Sequence, residues 1–121
     1  MIELHLNDLG PSLNEWYGKG HWTKRAALAK YWHALVAFAV RDQGISKINK
    51  PVILTMIFEH GKSQMLRDVS NCAAAAKLVE DGLVRAGVLE DDSPQYVHEL
   101  RMRPIKSIDG RRRTIVYIEE A

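Results

Sequence analysis

Ile2, Leu4 and Leu6 alternate with Glu3 and His5, the two-residue period of a half-buried strand. Residues 7–22 break that period with Gly10, Pro11, Gly18 and Gly20 and read as a long loop. From Thr23, which suits an N-cap, to just before Gly44 the spacing predicts a helix. Its segment from Ala34 to Val40 is apolar nearly all round, with a narrow polar stripe at Lys30, His33 and Arg41. Such a helix is buried on two sides or meets a second subunit, and the small domain favours the subunit. Pro51 to Glu59 reads as a mostly apolar strand, and residues 60–67 as a polar loop. A second helix is expected from about Ser70 to Ala86, with Ser70 as N-cap and Gly87 as C-cap. Residues 88–94 form an acidic loop. Two strands follow, about 95–103 and 112–119, joined at Ser107–Gly110 as an antiparallel hairpin. The order β-α-β-α-β-β predicts an α+β fold: one domain over 1–121, a mixed or antiparallel sheet, and two helices on one face.

Composition agrees. With 121 residues, 46% hydrophobic and 26% charged, the chain reads as a single folded domain, and disorder is excluded for most of it. Cys72 is the only cysteine, so an internal disulfide framework and a cysteine-rich zinc site are excluded. It reads as a packing residue. The five histidines lack ligand spacing. No apolar run reaches the roughly 18 residues of a membrane span, and the N-terminus lacks the apolar core of a signal peptide. The expectation is therefore no membrane and a cytoplasmic location.

The net charge of +2 hides a segregation. Glu80, Asp81, Glu90, Asp91 and Asp92 crowd residues 80–92, whereas Arg101, Arg103, Lys106, Arg111, Arg112 and Arg113 crowd residues 100–113. A basic strip beside an acidic cluster suits a polyanion bound next to a divalent metal; equally, two solvated faces attract each other. In the first loop, Trp16, Tyr17 and Trp22 interleave with Lys19 and His21. That mixture stacks on bases and holds phosphates, or folds back onto the core through its tryptophans.

On the second helix, Ser70, Ala74, Lys77 and Asp81 recur at three or four residues and share a face. Asp68 precedes the helix, and Asp91 and Asp92 follow it. A helix of that length spans about 25 Å, so Asp92 meets Asp68 only if the strand from Gln95 runs back beside it. Mg²⁺ and Mn²⁺ take one or two carboxylates plus water and phosphate, and a lysine adds a point charge. Asp68, Asp92 and Lys77 meet those needs. The plain alternative has Asp68 capping a helix, Asp91 and Asp92 making a turn, and Lys77–Asp81 forming a surface ion pair.

The run Arg67-Asp68-Val-Ser-Asn71, Lys77, Asp81-Gly-Leu-Val84, Ala86-Gly87-Val-Leu, Asp91-Asp92-Ser resembles the signature of RusA-type Holliday junction resolvases. Pro11-Ser-Leu-Asn14 with Tyr17 resembles that family's opening loop, so the similarity spans nearly the whole chain. The resemblance implies a dimeric, Mg²⁺-dependent endonuclease, with Mn²⁺ able to substitute, that nicks opposing strands of four-way DNA junctions. Many members are encoded by phages and prophages. It makes Asp68, Asp92 and Asp91 metal ligands and Asp68, Lys77 and Asp92 catalytic, with Ser70, Asn71 and Asp81 near the metal. It places DNA contacts at Asn14, Lys19, Lys24, Arg25, Arg67, Arg101, Arg103, Arg111, Arg112 and Arg113. Two departures stand out. Lys77 lies six residues beyond Asn71, and Ser70 stands where the family has an aspartate. A neutral hydroxyl is a weak ligand, so the alternative expectation is a branched-DNA-binding protein of the same fold with a weakened or inactive site.

Overall fold

The computed structural model describes residues 1–18 and 22–121. The strands β1 (Ile2–Leu6), β2 (Val52–His60), β3 (Val97–Lys106) and β4 (Arg113–Glu120) form one sheet in the order β1-β4-β2-β3. β4 runs antiparallel to both its neighbours, and β2 and β3 run parallel. The described residues also form three helices: α1 (Leu13–Tyr17), α2 (Trp22–Asp42) and α3 (Ala73–Arg85). The chain is thus α+β with a four-stranded mixed sheet. No helix among the described residues is long and apolar enough to cross a membrane.

Alternation decides which sheet face is covered. Leu4, Leu6, Leu54, Met56, Phe58, Val116 and Ile118 are buried, while Glu3, His5, Thr55, Arg101, Arg103 and Tyr117 point the other way. Trp32, Val36 and Val40 of α2 and Leu78, Val79 and Leu83 of α3 join the same core. Both long helices therefore pack on one face, as expected. α2 is buried along one side only, and Tyr31 and Phe38 on its opposite side are exposed.

Where the two helices cross, Gly82 is required. A Cβ at Gly82 would lie 2.9 Å from the Cβ of Val36. Gly82→Ala should gain helix propensity yet lose more by overpacking. We expect a net loss of about 1–2 kcal/mol, read as a melting temperature several degrees lower.

Three expectations are corrected. First, the last two strands are not a hairpin, because β2 lies between them. The physical reason is that β3 carries Arg101, Arg103 and Pro104, which belong at a sheet edge, whereas the more apolar β4 takes a central place. Residues 107–112 instead arch over the end of β2, a span of about 10 Å. Ser107 N–H donates to the His60 carbonyl at 2.9 Å. Asp109 Oδ1 accepts from Ser107 Oγ at 2.5 Å and from the Arg111 amide at 3.1 Å.

Second, the described residues form three helices rather than two. α1 lies in the stretch read as loop and is set by a reciprocal cap: Glu15 N–H donates to Ser12 Oγ, and Ser12 N–H to Glu15 Oε1, both at 3.1 Å. Third, Ser70 is not the N-cap of α3. A 3₁₀ turn over Val69–Cys72 intervenes and Cys72 takes that place. At the other end Gly87 adopts φ +79° and stops the helix, with Val88 N–H donating to Leu83 O at 3.0 Å. Cys72 is fully buried, as a packing residue should be.

His60, read as the start of a loop, ends β2 in full burial. Its Nδ1–H donates to the carbonyls of Phe58 (3.1 Å) and Ile105 (3.3 Å), and Nε2 is buried without a partner among the described residues. Burial pushes its pKa below the usual histidine value, against the pull of those carbonyls. The unfolded chain therefore takes up the proton first, so stability should be full above about pH 6.5 and fall as pH drops through the folded value. Melting temperatures between pH 7.5 and 5 should decline in the parent and decline less in His60→Gln.

Candidate functional site

α3 turns Lys77 outward beside the segment that follows the helix. Its ammonium bonds the carboxylate of Asp92, and lies 3.1 Å from Asp81 Oδ1 and 3.6 Å from Glu80 Oε1. The path of the chain after the helix thus brings Asp92 to Lys77. The hydrogen bond to Asp92, helped by Asp81, holds the lysine above its ordinary range. Lys77 in turn holds Asp92 below the usual carboxylate range. Glu80 is pushed up by burial, with Lys77 pulling the other way. A lysine held charged is a point cation and not a base. Sequence reasoning missed Glu80 as part of this group; its i,i+3 spacing from Lys77 was the available signal.

Asp68 occupies a second patch. It stands at the N-cap position of the 3₁₀ turn, yet its carboxylate makes no capping bond. The capping alternative is therefore removed. Asp68 and Ser70 are exposed and Asn71 half-buried. Asp68, Asn71 and Arg67 line a hollow with Ser12 and Glu15. The Arg67 side chain is only 8% exposed and sits 3.5 Å from Glu15 Oε1, and its Nη1 is buried without a partner among the described residues. Burial would raise the Glu15 pKa, but the Ser12 hydrogen bonds, Arg67 and Arg112 together bring it below the ordinary value.

The carboxylate oxygens of these two patches are hard donors that suit Mg²⁺ or Mn²⁺. Asp81 and Asp92 reach one cation-sized point, which the Lys77 ammonium marks. Among the described residues no three His, Cys, Asp or Glu side chains converge on a metal position. Asp68, Asp91 and Asp92 therefore do not form a ready-made cluster. The chain offers a pair of carboxylates, and the remaining positions would fall to water and phosphate, as is usual for Mg²⁺.

The basic residues divide. Arg113 pairs with Glu59 and lies 3.2 Å from Asp109 Oδ2. Arg101 lies 3.4 Å from Glu99 and 3.7 Å from Glu119 on the uncovered sheet face. These charges are largely met inside the fold. Arg111 and Arg112 are exposed; Arg112 and Lys24 line a cleft of about 590 Å³ with Glu15 and Tyr31. Arg103, Asn14 and Lys24 are exposed and Arg25 half-buried. Lys19 lies outside the described residues. The acidic and basic segments are not paired with each other among the described residues; Glu90, for example, pairs with Lys47 at 2.5 Å.

Compared with known protein-family models and with curated proteins, the chain matches none.

Proposed function

We propose that the chain is a divalent-metal-dependent endonuclease acting on four-way branched DNA as a homodimer. The observation that carries this reading is the Lys77–Asp92 pair flanked by Asp81, with the uncapped Asp68 on the adjoining turn. A fixed ammonium beside carboxylates suits phosphodiester hydrolysis. The cation stabilises charge that develops on the phosphate, and the carboxylates hold the metal. Asp92 and Asp81, which meet at one point, are assigned as the ligand pair, with Asp68 on the adjoining turn as a further donor, Asp91 beside them, and Lys77 as the catalytic cation. When bound, Mg²⁺ would supply charge to the phosphate and acidify its water. Arg111, Arg112 and Lys24 are left to meet DNA phosphates, and the exposed Tyr31 and Phe38 on α2 suit a second copy. A two-fold dimer presents two equivalent sites to a nearly two-fold junction.

The absence of three converging acids among the described residues favours one second reading, a junction-binding protein whose site is weakened at Ser70. Thermal unfolding with added Mn²⁺ separates the two. At 100-fold over its dissociation constant a native-state ligand stabilises by about 2.7 kcal/mol. The nuclease reading expects that rise in the parent and its loss in both Asp68→Asn and Asp92→Asn. No rise in the parent, with junction binding retained and a rise gained in Ser70→Asp, would select the second reading.

A further inference from the structure

Beside Lys77 lies a pocket of about 250 Å³ that phosphodiester hydrolysis does not itself require. Trp16 and Tyr17 of α1 line it, Ala74 of α3 gives it a small apolar wall, and His33, Lys77 and Asp81 supply polar groups. Pockets for drug-sized ligands run to roughly 300–1,000 Å³, so this one suits a single flat ring system. Tyr17 is 69% exposed although it adjoins apolar surface. His33 Nε2 is buried with no hydrogen-bond partner among the described residues. Aromatic side chains, small apolar walls and the flanking Lys77 and Asp81 together describe a site for a planar group with apolar faces and a polar edge.

We infer that this pocket takes one unstacked nucleobase of a branched DNA strand, seated against Trp16 and Tyr17 with its polar edge toward the Lys77 and Asp81 side chains that line the pocket. The inference rests on the nuclease reading and deepens it, because a base held there brings its own backbone phosphate beside Lys77. Every base has a π-face, so aromatic stacking tolerates any sequence. Extruding a base is least costly where pairing is already interrupted, as at a branch point. The pocket would thereby make the enzyme select branched over linear DNA.

The test measures binding of a labelled four-way junction and of a linear duplex of equal length, without divalent metal. Proteins are the parent, Tyr17→Ala and Trp16→Phe, and a single abasic nucleotide is placed at each position flanking the crossover in turn. Tyr17→Ala should weaken junction binding by about tenfold and leave the duplex unchanged. Trp16→Phe, which keeps a ring, should bind nearly as the parent. One abasic position should weaken the parent equally but weaken Tyr17→Ala no further. If Tyr17→Ala binds the junction like the parent, or if the two losses add in full, the pocket holds no base while the nuclease reading stands. A parent that shows no preference for the junction overturns both.

Discussion

Asp92→Asn and Lys77→Ala should each abolish most junction cleavage while the protein stays folded and bound to DNA. The expected loss is about 10²–10⁴-fold in rate, the range seen when a positioned charge is removed from a reacting centre. Stability should barely change. The Lys77 and Asp92 side chains are 57% and 32% exposed, and exposed pairs contribute only about 0–1 kcal/mol. That contrast gives the prediction its force: an ion pair present only for the fold would leave the rate alone. Because Asp92 holds the lysine charged well above its ordinary range, the rate should show no ionisation of Lys77 near neutral pH. Cleavage rates from single-turnover experiments between pH 6 and 9, beside thermal melts of the same proteins, check both points.

Trp32→Ala should cost about 3–5 kcal/mol, well beyond the loss expected for Gly82→Ala. Trp32 is 1% exposed and sits in the core that α2 shares with α3 and the sheet. It meets Tyr31 edge-on, with ring centroids 6.0 Å apart. Its indole also adjoins the close approach of Gly10 to Ala75, so the cavity would open where the first loop is tied down. Since α3 carries Lys77, loosening this core should also reduce cleavage, and added Mn²⁺ should restore part of it by binding the native state. Urea unfolding followed by fluorescence and circular dichroism gives the free energy directly.

Period-two alternation in β1, apolar content in β2 and the glycine stop at Gly87 were all readable in the sequence, because each is a local consequence of burial or of backbone geometry. The pairing of strands was not. A turn at Ser107–Gly110 looks the same whether its strands pair or flank a third, and only Pro104 with Arg101 and Arg103 marked β3 as an edge. The spacing Ser12-x-x-Glu15 carries the capping signal of α1 within a stretch whose glycines and proline read as loop. At the site, the face carrying Lys77 and Asp81 followed from helical spacing. The approach of Asp92 depended on the path of the chain after α3, which no local signal fixes. The buried group at Glu80 and the pocket at His33 come from packing between elements distant in sequence.

The most direct measurement is cleavage of an end-labelled synthetic four-way junction with Mg²⁺ or Mn²⁺, beside a linear duplex and the Asp92→Asn protein. A metal-dependent junction nuclease should give paired nicks placed symmetrically on opposing strands, absent from the duplex, absent without metal and absent with Asp92→Asn. Tight junction binding with no nick in either metal, or nicks that survive in Asp92→Asn, would contradict it.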